Sequence, residues 1–257
     1  MQAKKSLGQH WLKDESVLAA ICDAADLSKS DTVLEIGPGL GHLTRQLLQR
    51  AGGVIAVELD KDLADKLAAE IPQPELRVVQ TDILRFDLAE LPAGYKVVAN
   101  IPYYLTSNLI RVLSESTNPP QLMVLLVQRE VAERLAAPPG QMSLLSVSAQ
   151  LYYQPELGPL VPAQLFEPPP KVDSQVIILK RRQPPLFDDL DTKRFFGIVK
   201  AGFSSRRKKL RGSLAAGLGI NKAQADELLR NAGISGDLRA QNLSLADWHK
   251  LYTAMIK

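Results

Sequence analysis

The chain has 257 residues, of which 46% are hydrophobic and 23% charged, a composition typical of a soluble globular protein with one large domain or one large and one small domain. A single cysteine, Cys22, excludes an intrachain disulfide framework and any cysteine-rich metal site. The three histidines are far apart in the sequence, and we expect no metal. No signal-peptide core and no apolar segment of transmembrane length is present, so we expect a cytoplasmic protein without membrane contact.

The charge is distributed unevenly along the chain. The formal net charge is +3, but residues 1–180 carry −5 and residues 181–257 carry +8. A basic C-terminal region on a mildly acidic body suggests a polyanionic partner. A lysine-rich solubilising surface would have the same charge, so charge alone leaves both interpretations open.

Short apolar segments alternate with helical patterns through the first half of the chain. This alternation predicts βαβ units and a parallel sheet that helices cover on both faces. Two later apolar segments have a short connection between them, which favours an antiparallel end to the sheet. The predicted strands are residues 32–37, 53–60, 76–82, 96–101, 122–128, 150–161 and 173–182, and the predicted helices between the first five are residues 43–51, 61–71 and 106–116.

The pattern changes at about residue 183, where a segment of linker composition precedes a series of helical patterns. Ser244 and Asp247 resemble a capping box at the start of the last helix. We therefore predict a doubly wound α/β domain over residues 1–182 and a small all-helical domain over residues 183–257. The predicted helices of the second domain are residues 191–204, 206–218, 221–233 and 244–256.

Glycines and acidic residues follow three successive predicted strands. The glycine turn 37–41 allows the backbone to approach a ligand at the carboxyl edge of the sheet. Its G-x-G-x-G spacing, preceded by Glu35, departs from the dinucleotide pattern and suits a ligand without phosphates. Glu58 can accept both hydroxyls of a ribose, while Asp82 and Ile83 can bind adenine. The sequence predicts an adenosine pocket, although a tight turn with solvated strand-end acids is the simpler alternative.

The fourth strand ends in Asn100-Ile101-Pro102-Tyr103. The exocyclic amine of adenine is a weak nucleophile because its lone pair is delocalised into the ring. If the side-chain carbonyl of Asn100 and the backbone carbonyl of Pro102 accept its two N–H groups, the lone pair can point outward. Tyr103 can stack on the base and attract a nearby sulfonium. A turn with half-buried tyrosines would explain Tyr103 but not Asn100.

The four motifs resemble those of class I S-adenosylmethionine-dependent methyltransferases that modify adenine N6. The full pattern resembles the ribosomal RNA adenine N6,N6-dimethyltransferase family, and it is most similar to the bacterial members that act on 16S rRNA of the small subunit. The resemblance runs nearly end to end. It also includes the segments "KKSLGQHWL" at residues 4–12, "LFEPPPKVDS" at 165–174, "FSSRRKKLRGSL" at 203–214 and "DLRAQNLSLADW" at 237–248.

This resemblance implies a class I, Rossmann-like methyltransferase domain with a mostly parallel seven-stranded sheet, followed by a small C-terminal all-helical domain that binds RNA. It implies a monomer that takes methyl groups from S-adenosylmethionine and dimethylates two adjacent adenines in the 3'-terminal hairpin of 16S rRNA, in a small ribosomal subunit or its precursor. His10 and Trp11 depart from the family's usual Asn and Phe. The residues carried over to the cofactor are His10, Leu12, Gly37, Glu58, Asp82 and Asn100, while Tyr103 and Phe166 would sandwich the target base.

Two further features point to RNA. Phe166 precedes the stiff segment Pro168–Pro170, which suits an aromatic ring that holds a flipped base, although a place in a small core is the alternative. Five cations lie within one and a half turns of the predicted helix, and phosphates are their natural counter-charge. This basic segment consists of Arg206, Arg207, Lys208, Lys209 and Arg211, and Lys171 adds a cation beside the proposed base pocket.

Four other functions fit parts of the sequence. A large-subunit 23S rRNA dimethyltransferase of the macrolide-resistance type shares the motifs, but residues 168–174 and the terminal segment favour the 16S enzyme. A DNA adenine methyltransferase usually has Asp or Asn followed by two prolines and an aromatic residue. A ribosome-assembly factor that only binds would not need Glu58, Asp82 and Asn100 together. A nicotinamide oxidoreductase would need a G-x-G-x-x-G turn, which this sequence does not have.

Overall fold

The computed structural model describes residues 9–205 and 207–256. The chain divides into two compact units, one formed by the residues up to 133 together with 153–181, the other by 134–152 together with the residues from 182 onward. The division near residue 182 lies close to the predicted boundary. Residues 134–152, which we expected in the α/β domain, instead belong to the helical unit, because Val147 and Leu151 pack into its apolar core.

The first unit contains a seven-stranded sheet with five parallel strands and an antiparallel end, as predicted. The strands of this unit are β1 (Trp11–Leu12), β2 (Thr32–Ile36), β3 (Gly53–Glu58), β4 (Leu76–Gln80), β5 (Lys96–Asn100), β6 (Leu122–Gln128), β7 (Tyr153–Val161), β8 (Phe166–Glu167) and β9 (Ser174–Arg181). The strand order of the seven-stranded sheet is β4-β3-β2-β5-β6-β9-β7. The strand β9 lies antiparallel between β6 and β7.

The helices α1 (Glu15–Ala24), α2 (His42–Arg50), α3 (Lys61–Glu70), α4 (Thr106–Glu115) and α5 (Arg129–Leu135) connect these strands. The sequence determines several of their starts. The Asp14 carboxylate caps α1 by accepting from the backbone N–H of Val17, and Asp60 caps α3 in the same way from Asp62. The middle strands are apolar on both faces, so Val97, Val98 and Ala99 of β5 are fully buried.

A separate two-stranded sheet was not predicted. The strand β1 pairs antiparallel with β8, which sets Leu12 opposite Phe166 and Trp11 opposite Glu167. An ion pair between Lys13 and Glu167 continues the pairing. This short sheet holds the N-terminal segment beside the proline-rich segment 168–170, and it thereby shapes the pocket described below.

The second unit is helical, with α6 (Leu144–Tyr152), α7 (Thr192–Phe203), α8 (Leu210–Leu218), α9 (Lys222–Asn231) and α10 (Leu245–Ile256). Residues 150–152, predicted as the start of a strand, are the last turn of α6. The capping box at Ser244 and Asp247 is confirmed, since each side chain accepts from the other's backbone N–H. Trp248 is fully buried in the core of this unit. Within the described part of the chain, no helix combines the length and apolarity needed to cross a membrane.

Candidate active site

A cavity of about 340 Å³ lies in the first unit where β2, β3, β4 and β5 end. Parallel strands bring their carboxyl ends to one edge of the sheet, so residues distant in sequence meet there. The wall includes all the residues that the sequence predicted for the cofactor and the target amine except Phe166. These residues are His10, Leu12, Gly37, Glu58, Asp82, Ile83, Asn100, Pro102 and Tyr103.

The glycine turn is fixed to the neighbouring strand by its backbone. Gly37 and Gly39 have φ values of +67° and +57°, a conformation that favours glycine. The N–H of Gly37 donates to the carbonyl of Val57 at 2.9 Å, and the N–H of Gly39 donates to Oε2 of Glu58 at 3.1 Å. The Trp11 indole lies close to the turn: a Cβ added to Gly39 would be only 3.1 Å from the indole ring. The turn is therefore held against both β3 and the N-terminal segment.

Glu58 is the most tightly held acid of the cavity wall. Only 6% of the residue is exposed, and burial raises the pKa of its carboxyl above the usual range. Two backbone N–H groups oppose this rise, that of Asp60 to Oε1 at 2.9 Å and that of Gly39 to Oε2. Each carboxylate oxygen has a second lone pair, so the fixed carboxylate can still accept from two ligand hydroxyls.

Asp82 and Ile83 follow β4 at the next position along the sheet edge. Asp82 is partly exposed, and its Oδ1 accepts from the backbone N–H of Leu84 at 2.9 Å, which fixes the carboxylate orientation. The side chain of Ile83 is buried. The fixed Asp82 carboxylate can accept a hydrogen bond from the edge of a purine ring, while the apolar Ile83 side chain can pack against its face.

The amide of Asn100 has one defined orientation. Its Nδ2 donates to the backbone carbonyl of His10 at 3.0 Å. Because the His10 carbonyl can only accept, it is Nδ2 and not Oδ1 of Asn100 that must face it. Among residues 9–205 and 207–256, no group donates to Oδ1 of Asn100. The carbonyl of Pro102 accepts from the N–H of Leu105 at 3.0 Å and keeps a second lone pair. Two acceptors are thus available at the end of β5.

Tyr103 is held at its hydroxyl and on its ring. The hydroxyl is 2.8 Å from Oγ of the buried Ser174, and burial raises the pKa of the phenol above its usual range. The His10 ring stacks on the Tyr103 ring, with 6.0 Å between the two ring centroids and 21° between the ring planes. Nδ1 of His10 is 2.7 Å from the carbonyl oxygen of Pro168.

Phe166 does not line the cavity, which corrects our expectation that it and Tyr103 enclose the target base. Only 3% of Phe166 is exposed, and it packs in the main core with Leu12, its partner across the two-stranded sheet. A ring buried in this way has no free face for a base, so the structure favours the core alternative for Phe166.

No contact was predicted from the sequence for several residues of the cavity wall, namely Gln9, Trp11, Glu35, His42 and Tyr104. Glu35 is 1% exposed, and burial raises the pKa of its carboxyl to about 8. The available signal for Glu35 was an acid next to the last residue of the otherwise apolar segment 33–36. Within the described residues, three polar atoms of this wall are buried without a hydrogen-bond partner, namely Trp11 Nε1, Glu35 Oε2 and His42 Nε2.

The basic segment has a different structure from the one predicted. The helix α8 begins at Leu210, so Arg207, Lys208 and Lys209 precede it rather than forming its first turns. Arg206 lies outside the described residues. Asp237 contacts Lys209 at 2.9 Å and Arg211 at 2.7 Å, and these cations hold the pKa of its carboxyl below the usual range.

Three other predicted cations, Arg207, Lys208 and Lys171, are exposed. No ion pair of Arg207 or Lys208 is found within the described ranges. Lys171 is exposed in the first unit, next to the segment Pro168–Pro170. Across the same described ranges, no group of three or more His, Cys, Asp or Glu side chains is placed to hold a metal ion.

The mostly parallel sheet and the cavity at its carboxyl edge are those of a Rossmann-like fold, and together with the family match they define the class: an S-adenosylmethionine-dependent methyltransferase. A family model described as ribosomal RNA adenine dimethylase matches residues 1–257. The chain therefore belongs to the ribosomal RNA adenine dimethylase family, and it is an rRNA adenine dimethyltransferase.

Relatives named ribosomal RNA small subunit methyltransferase A are similar over nearly the whole chain. That of Dehalococcoides mccartyi strain CBDB1 is 44% identical over 98% of this chain and 88% of its own length. That of Desulfitobacterium hafniense strain DCB-2 is 42% identical over 100% and 93%, respectively.

Two solved structures share the fold. A dimethyladenosine transferase from Plasmodium falciparum is 27% identical, with a TM-score of 0.80 over 94% of this chain and 96% of that one. The 23S rRNA methyltransferase ErmE is 29% identical, with a TM-score of 0.77 over 96% and 100%, respectively.

Proposed function

We propose that this protein transfers methyl groups from S-adenosylmethionine to N6 of two adjacent adenines in the 3'-terminal hairpin of 16S rRNA, giving N6,N6-dimethyladenosines. It acts as a monomer in the cytoplasm, on the small ribosomal subunit or its precursor, and contributes to ribosome biogenesis. The small-subunit relatives, up to 44% identical over nearly the full chain, support this choice over the 23S enzyme ErmE at 29%.

The cavity wall fits the cofactor chemically. S-adenosylmethionine carries an ammonium, a carboxylate, ribose hydroxyls and an adenine, and the wall offers both acids and partnerless polar atoms such as Glu35 Oε2. Glu58 would hold the ribose, Asp82 and Ile83 the adenine, and the residues His10, Leu12, Gly37 and Asn100 the remainder. When bound, the cofactor supplies a methyl group on a positively charged sulfur, which is already reactive toward a nucleophile.

The observation that carries the proposal is the orientation of Asn100. Its nitrogen is engaged by the His10 carbonyl, so Oδ1 is the acceptor left for a ligand, and the Pro102 carbonyl in the same cavity wall keeps a second lone pair. If these two acceptors hold both N–H groups of adenine N6, the nitrogen lone pair leaves the ring plane. The lone pair would then be free to attack the methyl group that the cofactor supplies, and the proton lost from nitrogen would go to solvent. Catalysis consists of positioning and hydrogen bonding, without a dedicated base.

RNA binding would use exposed cations and an unstacked base. The cations Arg207 and Lys208 can neutralise phosphates, and Lys171 can add a contact beside the pocket. An enzyme that modifies a base must take it from the stack, and Tyr103 offers an aromatic surface for it. Phe166 could serve the base only if it left the core.

The test is a substrate panel. The protein is incubated with labelled S-adenosylmethionine and undermethylated 30S particles, naked 16S RNA or 23S RNA, and the products are digested to nucleosides. We expect N6,N6-dimethyladenosine at two adjacent positions of the small-subunit RNA. Label in 23S RNA alone would indicate the macrolide-resistance activity, and tight particle binding without label would indicate an assembly factor.

A further inference from the structure

His10 contacts three features at one side of the pocket, namely Tyr103, Pro168 and Asn100. Its ring stacks on Tyr103, and its Nδ1 lies 2.7 Å from the carbonyl oxygen of Pro168. Its own backbone carbonyl accepts from Nδ2 of Asn100 at 3.0 Å. One residue therefore contacts the proposed amine-binding amide, the proposed base-stacking ring and the proline-rich segment.

The contact with Pro168 defines the protonation of the ring. A carbonyl oxygen has no hydrogen to give, so Nδ1 of His10 must carry the proton, whether the ring is neutral or charged. The imidazole is thereby fixed at one edge while its face lies on Tyr103, whose hydroxyl is held by Ser174. Tyr103 is therefore restrained on one ring face by His10 and at its hydroxyl by Ser174.

An asparagine at this position could donate to the Pro168 carbonyl but would have no aromatic face for Tyr103. The His10 side chain therefore has contacts here that an amide cannot reproduce. We infer that His10 is a positioning residue for the target base: its side chain sets Tyr103 and the segment Pro168–Pro170, and its backbone carbonyl sets the Asn100 amide.

The inference rests on the proposed function and makes a claim different from a cofactor contact through the imidazole. A side-chain ligand of the cofactor would lose cofactor affinity when mutated. A positioning residue for the base should lose the rate of methyl transfer at saturating substrates, because the lost contacts align the reacting groups.

The experiment compares three variants with the wild-type protein. In single-turnover methylation of 30S particles, His10→Ala should lower the rate by about tenfold, the combined scale of one ring contact and one hydrogen bond. His10→Phe keeps the ring and His10→Asn keeps a donor, so each should recover part of the rate. Calorimetry should show unchanged affinity for S-adenosylhomocysteine in all three, because a backbone contact of His10 with the cofactor survives each side-chain substitution. Thermal melts identify any variant that is not folded.

A double-mutant cycle shows whether His10 affects the methylation rate through its contact with Tyr103. In a Tyr103→Leu background the ring contact is already gone, so His10→Ala should cost clearly less than in the wild-type protein. Full additivity of the two losses would overturn the inference. A fall in cofactor affinity that matches the fall in rate would also overturn it, as would a wild-type rate in folded His10→Ala.

A measurement without RNA separates this inference from the proposed function. Imidazole nitrogen chemical shifts, with His10 assigned by comparison with His10→Asn, should show the proton on Nδ1. A neutral ring protonated only on Nε2 would contradict the inference even in an active enzyme. If the wild-type protein methylates no RNA, the proposed function fails, whereas the shifts still report the contact with Pro168.

Discussion

The cavity in the first unit and the basic segment in the second both carry ionisable side chains, but their environments differ. In the cavity, Glu35 and Glu58 are buried, and the Glu58 carboxylate is held by two backbone N–H groups. In the basic segment, Lys209 and Arg211 share the exposed Asp237, while the side chains of Arg207 and Lys208 are exposed to solvent. The cavity therefore presents buried carboxyl groups, one of them held by the backbone, whereas the basic segment presents exposed charge.

This difference matches two tasks in a methyl transfer to RNA. Fixed acceptors in a poorly hydrated site act strongly on one defined geometry, and their removal should affect affinity or rate by large factors. Exposed cations bind phosphate through counterion release, and each of them should matter little alone. Mutations in the two regions should therefore differ in size, in salt dependence and in the step that they affect.

The largest effect should come from Asn100→Ala. The variant loses one of two acceptors for the target amine, so single-turnover methylation should slow by about 10²–10³, the scale of removing a preorganised polar group. RNA affinity should be nearly unchanged. A thermal melt of the same sample is the control, and a normally folded variant that methylates at the parent rate would refute the role of this amide.

Glu58→Ala should weaken cofactor binding by about 1.5–3 kcal/mol, the scale of a hydrogen bond to a charged group. The reason is the loss of a carboxylate that is fixed by the backbone N–H groups of Gly39 and Asp60 and that we propose holds the ribose. Calorimetry with S-adenosylhomocysteine measures the change, and NAD is the negative control ligand. Glu58→Gln is the matched variant, since it keeps the shape but removes the charge; unchanged affinity in both would exclude Glu58 from the site.

Glu35 should make the stability of the first unit depend on pH. Burial raises the pKa of its carboxyl to about 8 in the folded state, from 4.5 without burial. Between these values the unfolded chain releases a proton that the folded chain retains, so stability falls as pH rises. The slope approaches about 1.4 kcal/mol per pH unit, a tenfold change in the unfolding constant.

Urea unfolding at several pH values between about 5 and 8 tests this dependence. Glu35→Gln should flatten the curve, because an amide stays neutral throughout the range. Parallel curves for the variant and the wild-type protein would show that Glu35 is ionised in the folded state.

The smallest effects should come from the basic segment. Arg207→Ala with Lys208→Ala removes exposed cations, so RNA affinity should fall a few-fold and the salt slope should decrease by about 1–2. Lys209→Ala with Arg211→Ala is the matched pair. These cations already contact Asp237, so we expect a smaller change in salt slope and a lower melting temperature. An unchanged slope in the first pair would mean that these residues are only a solvated surface.

The sequence predicted the cavity well because topology determines it. Glu58, Asp82 and Asn100 each follow or end an apolar strand, and the βαβ order brings such positions to one edge of a parallel sheet. The five parallel strands and the helices α2, α3 and α4 were predicted to within a few residues for the same reason: their apolar periodicity is strong.

The remaining features depend on contacts between residues far apart in the sequence. The strands β1 and β8 have two residues each, too few for any periodicity, and their pairing places Phe166 in the core. The segment 144–152 has an apolar pattern that fits either a strand or a helix, and packing decides for the helix. Asp237 approaches Lys209 across 28 positions, so the sequence pattern near the cations showed no acid.

Hydrogen exchange with and without S-adenosylhomocysteine tests most directly that the strand-end cavity is the cofactor site. We expect slower exchange in the segments that line the cavity and in no peptide around Arg207–Arg211. Those segments are residues 9–12, 35–43, 57–59, 81–84 and 100–105. Protection confined to the helical unit, or cofactor binding that leaves all five segments unchanged, would show that the cofactor does not bind in this cavity.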